Sequence, residues 1–540
     1  MSTQPIPDVW PSDARCDVLV VGGGINGAAI SRDLAGRGLK VVLCEKDDLA
    51  QHTSSSSTKL IHGGLRYLEH REFLLVRKAL AEREVLLKSA PHIMWPLRFV
   101  MPHDDGMRPA WMIRLGLFLY DHLARREVLR DSRGVNLRKH PAGVPLKPRY
   151  TQGFVYSDGW VDDARFVVLN ALDAHERGAQ VLTRWACTRA ERGPSAWAVQ
   201  LTAASGETRS LQSRAVVNAA GPWAAQFLNQ HCVDTARTGT LPRKLRLVKG
   251  SHIVVKQRFT HDHAYIFQNP DQRIIFAIPY EQHFTLIGTT DVEHLGPPGD
   301  LSIDESEISY LCEQASRYFE KPVLTSDVVW HYSGVRPLLD EEGASGGKSA
   351  SQVTRDYALE LTQDGAPLLS VWGGKITTCR KLAEEAANLL APLLGATQGP
   401  WTHDNAPLPG GDLSAWIREA HRPDTDFSRF EQALAQKYPA QSRTLLHRLA
   451  RAYGSRAAVI LDDGLGTVVV GDLHEGELRY LHDHEWARSS DDVLWRRSKL
   501  GLHLSAEQRQ TVADWWACRF PSVNWRFNPD TSPGTRPSGL

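Results

Sequence analysis

Five hundred and forty residues, 42% hydrophobic and 23% charged, exceed what one core usually organises, and the composition is that of a folded chain. Sixty-three Lys plus Arg against 62 Asp plus Glu leave a net charge of +1, which removes nucleic acid as the default partner. Residues 1–16 carry three prolines and no apolar signal core, no apolar run is long enough for a membrane span, and the seven cysteines form no Cys-x-x-Cys pair; a cytoplasmic protein without zinc-ribbon, thioredoxin-type or iron-sulfur ligation is expected.

Residues 17–21 (DVLVV) form a short β-rich run, followed by Gly22, Gly24 and Gly27 in G-x-G-x-x-G spacing and a helical pattern to Gly36. A second apolar run, 40–44, ends in Glu45, eighteen residues past Gly27. This order predicts a βαβ dinucleotide site. The glycines permit a tight turn and close approach of the backbone to a pyrophosphate at a helix N-terminus, and the acid takes a ribose hydroxyl. Glycines that merely pack a helix on a strand share the bare spacing, and the fingerprint does not choose between NAD and FAD. The sequence holds no second strand-linked fingerprint, so a chain with FAD here has no obvious place for a nicotinamide.

Residues 53–58 are a Ser/Thr run that leads into 59–67 (KLIHGGLRY), and Phe73, Val76, Leu80 and Leu87 predict an amphipathic helix over 70–89. A helix is expected over 163–177 with Gly178 as its stop, then a strand at 180–183 and an antiparallel meander over 184–213. Residues 215–218 run into Ala219, Ala220, Gly221, Pro222 and Trp223, a strand-to-helix entry that returns the chain to the nucleotide domain. Runs at 251–255, 264–267, 274–280 and 284–289 predict a separate antiparallel sheet, the usual place for a substrate to be held over a flavin. Ser302-x-x-Glu305 predicts a capping box for a helix reaching Phe319, residues 338–351 a loop, 367–372 a strand, Gly373 and Gly374 a turn, and 377–394 a helix. After Pro400, helices over 426–437, 440–452, 472–486 and 505–519 predict an all-α C-terminal domain with a frayed tail.

The stretch DVLVVGGGINGAAISRDLAGRGLKVVLCEKDDLAQHTSSSSTKLIHGGLRYLE resembles the N-terminal signature of the aerobic FAD-dependent sn-glycerol-3-phosphate dehydrogenases. WVDDARFVVLNALDAHERGA, AAGPWA, RLVKGSHIVV, IPYEQHFTLIGTTD, SGVRPL, TRDY, GGKITTCRKLAE, LARAYGSRAAVIL and DVLWRRSKLGL follow in the family's order, across roughly residues 15–520. The absence of C-terminal cysteine pairs favours the aerobic form over iron-sulfur-linked relatives. Two departures are Cys379, where the family usually has an aromatic residue, and the acidic-to-glycine loop at 341–350 between Arg336 and Arg355.

The resemblance implies hydride transfer from sn-glycerol 3-phosphate to FAD, giving dihydroxyacetone phosphate. Such chemistry needs a phosphate anchor, a proton acceptor and a substrate carbon held over the flavin. Arg66, Arg336 and Arg355 stand in motifs with glycine or proline neighbours and are the expected phosphate ligands, since guanidinium meets phosphate bidentately. Lys375, after Gly373 and Gly374 and before a helix, is placed to stabilise negative charge on the reduced flavin. His252 is the candidate base, with His62 as a second choice nearer the flavin, and Tyr67 and Glu281 are candidates for substrate contact. FAD is expected on Gly22, Gly24, Gly27, Glu45, Thr58, His62, Gly221, Gly374 and Thr377; no metal is expected.

With no nicotinamide site and no cluster ligands, the electrons are expected to go to membrane quinone, with oxygen as the oxidase alternative and a tRNA-modifying flavoprotein as the rival from another class. Quinone implies peripheral attachment to the inner face of the cytoplasmic membrane. Residues 109–123 (PAWMIRLGLFLYDHL) are strongly apolar, and 125–149 hold eight Lys/Arg against two Asp/Glu, the pairing an anionic lipid surface would attract. A homodimer is left open. The expected architecture is α/β plus α+β. A discontinuous Rossmann-type FAD domain covers 12–240 and 341–395, an antiparallel substrate domain 241–340, a helical domain 400–525 and a flexible tail 526–540.

Overall fold

In the computed structural model of the protein, residues 10, 13–69, 71–104, 108–234, 245–299, 301–339, 356–403, 406–420 and 422–521 are described. The strand Arg15–Val21 is buried along the half that enters the fingerprint, and it lies parallel between Val41–Glu45 and Thr208–Asn218. Its register places Val21 beside both Cys44 and Asn218, so the three strands end at one level, where the fingerprint turn begins. Gln180–Thr183 extends the parallel ladder on one side and Leu368–Gly373 on the other. Helices Ile25–Gly36, Asp163–Glu176 and Cys379–Leu394 pack together over this ladder, which explains why its strands read as apolar runs rather than alternations. The predicted meander is Trp185–Arg192, Trp197–Ala203 and Thr208–Asn218, and the last strand leaves the meander to join the parallel ladder.

The second sheet has ten strands and redraws the expected domain boundary. Besides the runs anticipated between 245 and 288, it contains Leu60–Ile61, Met94–His103, Arg133–Asn136 and Gln152–Val161. Those segments were expected in the nucleotide domain. Their strand signal is weak because Pro96, Pro102, Gly153 and Gly159 break the β-rich runs, yet Pro96 and Gly159 face each other across a continuous ladder. The chain therefore crosses from the nucleotide sheet to the substrate sheet near Leu60 and returns after Val161. The long pair Leu245–Lys256 and Val328–Leu339 sets His252 opposite Tyr332 and Val248 opposite Arg336.

The helix expected to start from a Ser302 box starts two residues later. Asp304 caps Glu305–Ser316: its backbone is extended, its carboxylate accepts from the Glu307 N–H, and the Glu307 side chain completes the reciprocal box. Leu338 and Leu339, expected in a loop, end a strand, and the rest of that loop and the tail from 526 lie outside the described residues. Four expected C-terminal helices are present at Asp426–Lys437, Arg443–Tyr453, Glu475–His484 and Ala506–Arg519. A short ladder, Val468–Val470 with Leu473–His474, interrupts them, so the region is not wholly helical.

This region is fastened to the nucleotide domain by charges taken out of water. Arg497 spans Asp48 with Nη2 to Oδ1 at 2.8 Å, Arg496 also reaches Asp48, Arg184 holds Asp492 at 2.6 Å, and Arg165 pairs with Glu485. Asp48 and Arg497 are fully buried. Removing one partner of such a pair costs about 3–5 kcal/mol because the other charge stays buried.

Candidate active site

A cavity of about 560 Å³ runs from the fingerprint to the second sheet. Its nucleotide side is backbone. Gly22 has φ +111°, and a Cβ on Gly27 would stand 1.9 Å from the Gly22 carbonyl oxygen, so the helix Ile25–Gly36 can approach the strand only because Gly27 has no side chain. A Cβ on Gly24 would meet Ser54 Oγ at 3.1 Å, a tight contact with one side chain, and no backbone within 4 Å. Glu45 closes this side: one carboxylate oxygen accepts from Gly23 N at 2.7 Å and the other from Asp47 N at 2.9 Å. Burial raises its pKa, opposed by His52 and by these two N–H groups. The glycine turn, the helix start, whose Ile25 N–H is held by Ser54 Oγ at 3.0 Å, and the oriented acid fit a dinucleotide with its pyrophosphate over Gly24 and a ribose at Glu45.

The turn Gly373–Gly374–Lys375 leaves the same carboxyl end of the sheet two strands away, with left-handed φ of +72° and +104° at the glycines. Asn26 Nδ2 donates to Gly373 O at 3.2 Å, tying this turn to the fingerprint helix. Lys375 Nζ lies 3.9 Å over the Tyr67 ring, a cation–π contact that holds the ammonium at the cavity wall.

Opposite the backbone wall stand side chains of the second sheet. Arg336 pairs through Nη1 with Asp291 and donates from Nη2 to Thr289 Oγ1 at 3.1 Å, so the plane of its fork is fixed. Gly250 permits this position, since a Cβ there would meet Arg336 Nη2 at 2.5 Å. His252 stacks on Tyr332 with ring centroids 4.7 Å apart, and its Nε2 shares a hydrogen bond with Thr58 Oγ1 at 3.0 Å. Burial, then the charges of Arg336 and Lys59, drive the His252 pKa well below the ordinary imidazole value, so the ring is neutral. Lys59 is itself buried and bonded to Asp163 at 2.8 Å, which anchors the Ser/Thr run beneath Thr58.

Gly22, Gly24, Glu45, Thr58, His62, Tyr67, Gly221, His252, Arg336, Gly374, Lys375 and Thr377 all line the one cavity. Gly27 does not line it and acts through packing. Arg66 is absent from the lining, because the 3-10 turn Leu65–Leu68 presents Tyr67 to the cavity. Glu281 is absent as well. It sits half-buried at a hairpin tip with φ +44°, its pKa pushed up to about 7 by desolvation and by Asp162. Cys379 is fully buried in the nucleotide core, away from the cavity wall. Arg355 lies outside the described residues. Asn26, Ser54, Thr289 and Asp291 were missed. Asn26 is a variable position of the fingerprint itself, and Thr289 and Asp291 belong to the same GTTD motif from which Glu281 was a near neighbour.

The family described as FAD dependent oxidoreductase matches residues 17–380. D-erythritol 1-phosphate dehydrogenase of Brucella abortus is 49% identical over 93% of this chain and 97% of its own. Glycerol-3-phosphate dehydrogenase of Pseudomonas aeruginosa is 48% identical over 94% and 96%. Among solved structures, glycerol-3-phosphate dehydrogenase from Bacillus halodurans complexed with FAD superposes with a TM-score of 0.74 at 26% identity, covering 96% of this chain and 93% of that one.

Proposed function

The chain belongs to the FAD dependent oxidoreductases, and from that membership we propose that it oxidises sn-glycerol 3-phosphate to dihydroxyacetone phosphate, with FAD as resident cofactor and membrane quinone as final acceptor. The observation that carries the substrate reading is the Arg336 fork, held by Asp291 and Thr289 on the same wall as a neutral His252. Arg336 receives the phosphate, since a planar guanidinium with a fixed orientation matches two phosphate oxygens. His252 accepts the hydroxyl proton. When bound, FAD supplies a two-electron acceptor for the hydrogen on the carbinol carbon. Lys375, steadied by Tyr67, offers positive charge where negative charge develops.

A second substrate reading comes from the 49% identical erythritol-phosphate relative. Both readings place a phosphate on Arg336, and kcat/KM with a soluble dye separates them. Glycerol 3-phosphate should exceed D-erythritol 1-phosphate, and both should exceed glycerol by orders of magnitude. A preference for the four-carbon substrate would favour the second reading, and equal use of glycerol would remove phosphate from the site.

Membrane attachment rests on the helix Ala110–His122. Trp111, Met112, Leu115, Phe118 and Leu119 are exposed on it, with Phe73 and Leu74 exposed at the start of a neighbouring helix. Such an apolar, aromatic face suits a lipid surface. Among the described residues no helix is long and apolar enough to cross a membrane. The basic stretch contributes unequally: Arg125 is 90% exposed, whereas Arg126 is bound to Asp121 and Asp131 and serves the fold.

A further inference from the structure

The inner face of the helix Ala110–His122 carries Tyr120, which is buried and does not line the cavity. Its hydroxyl accepts a hydrogen bond from Gly63 N at 2.8 Å and donates to Asp158, with Oδ1 at 2.8 Å. Asp158 is paired in turn with Arg83 at 2.6 Å, and all three side chains are buried. Gly63 lies between His62 and Gly64, in the turn that brings His62 and Tyr67 to the cavity. Gly64 has φ +77°, and the Tyr67 ring lies so close that a Cβ on Gly64 would stand 2.2 Å from Cε2. Tyr67 N donates back to Gly64 O at 2.9 Å, and the Tyr67 ring carries the Lys375 ammonium. On the other side of Gly63, His62 N donates to Thr377 Oγ1 at 3.3 Å.

We propose that Tyr120 is a positioning residue for the oxidation, fixing the Gly63–Gly64 turn and through it Tyr67 and Lys375. A buried backbone N–H needs an acceptor, and here that acceptor is a phenol oriented by an ion pair. Without the hydroxyl the Gly63 N–H keeps only the Asp158 carboxylate, which it also bonds, so the turn shifts toward Asp158, and Tyr67 and Lys375 move with it. A displacement near 1 Å at a reacting centre can cost about a hundredfold in rate. Arg336 belongs to the opposite wall, so substrate affinity should be spared. The inference rests on the flavin and substrate reading above.

The test is Tyr120→Phe as holoenzyme, compared with the parent under argon. Flavin reduction by saturating glycerol 3-phosphate should slow about tenfold or more, KM should change less than threefold, and the visible circular dichroism of the flavin should shift without substrate. Tyr156→Phe removes the hydroxyl of a buried tyrosine whose ring packs edge-on against that of Tyr120, and it should leave these readouts near the parent. Should Tyr120→Phe fail to hold FAD, Gly63→Ala gives the same test. Its Cβ would press on Leu80 at 2.5 Å and on Tyr120 Oη at 2.8 Å, displacing the turn with the hydroxyl intact. Parent-like reduction in these variants, a loss confined to KM, or an equal loss in Tyr156→Phe would overturn the proposal. Failure of the parent to be bleached strikes the substrate reading alone, since the dichroism needs no substrate.

Discussion

The two walls of the cavity are made of different material. On the nucleotide side Gly22, Gly24 and Gly27 leave main chain facing the space, and one acid, Glu45, is held by two backbone N–H groups. On the substrate side Arg336 and His252 project from strands far apart in sequence, Thr289 follows the end of a third, and they are aimed by Asp291, Tyr332 and Thr58. A backbone wall has no rotamers to adjust, so an added atom displaces the ligand or the helix. A side-chain wall can lose one contact and keep its shape. Damage to the first should therefore appear as loss of cofactor, and damage to the second as altered kinetics of a loaded enzyme.

The largest expected effect is at Gly27. Gly27→Val puts a Cβ within 1.9 Å of the Gly22 carbonyl oxygen and should yield colourless protein, read as the flavin-to-protein absorbance ratio. Gly24→Val, with Ser54 Oγ at 3.1 Å as its nearest obstacle, fills the space assigned to the pyrophosphate and should also lose FAD, while its melting temperature stays nearer the parent's because the helix–strand contact is untouched. Full yellow colour in either variant would break the backbone-wall account. On the other wall, Arg336→Lys should keep full FAD and raise KM for glycerol 3-phosphate about 10- to 100-fold. A charge-assisted fork is worth about 1.5–3 kcal/mol, and glycerol, with no phosphate, should show little change. His252→Gln should likewise stay yellow, lowering kcat about 10²–10⁴-fold, the range of a lost general base, with a smaller change in KM.

How much of each wall can be read from sequence follows from the same difference. The nucleotide wall is written in one continuous stretch, because strand, turn, helix and acid are neighbours in the chain and each glycine has a local reason. The substrate wall depends on pairing. Arg336 comes to the same cavity as His252 only because Leu245–Lys256 and Val328–Leu339 run antiparallel in one particular register, and motif position named both residues without that geometry. Where motif position was the whole argument, it also chose Arg66 and Glu281, whose neighbours Tyr67 and Thr289 face the cavity instead. The strands Met94–His103 and Gln152–Val161 were missed for a related reason: their prolines and glycines hide a ladder that tertiary pairing satisfies.

Two smaller effects sharpen the contrast between working wall and supporting fold. Arg125→Glu with Arg130→Glu should weaken sedimentation with anionic vesicles by several-fold and leave dye reduction unchanged. Each basic residue near a lipid surface contributes about 1 kcal/mol and is screened by salt. Parent-like sedimentation of that variant at physiological salt would move the contact elsewhere. Acid sensitivity should come from buried neutral histidines. Burial, with Arg165 and Arg451, lowers the His92 pKa to about 3, and burial, with His263, lowers that of His261 to about 4. These groups take up protons more readily when unfolded, so their stabilisation is present above about pH 6.5 and falls as pH drops toward 4. The melting temperature should be flat from pH 8 to 6.5 and then decline. His92→Phe should decline less steeply, because its ring nitrogens have no hydrogen-bond partner among the described residues to lose.

The central claim is that the backbone wall holds FAD while Arg336 delivers a phosphorylated alcohol to it. Anaerobic titration of the yellow holoenzyme with glycerol 3-phosphate tests this directly, followed at the flavin absorbance maximum near 450 nm, a general property of oxidised flavins. The account predicts that micromolar to low-millimolar glycerol 3-phosphate bleaches the parent, that glycerol at the same concentration does not, and that Arg336→Lys needs at least tenfold more glycerol 3-phosphate. A parent that stays yellow in glycerol 3-phosphate, or an Arg336→Lys variant that bleaches at the parent's concentration, would contradict it.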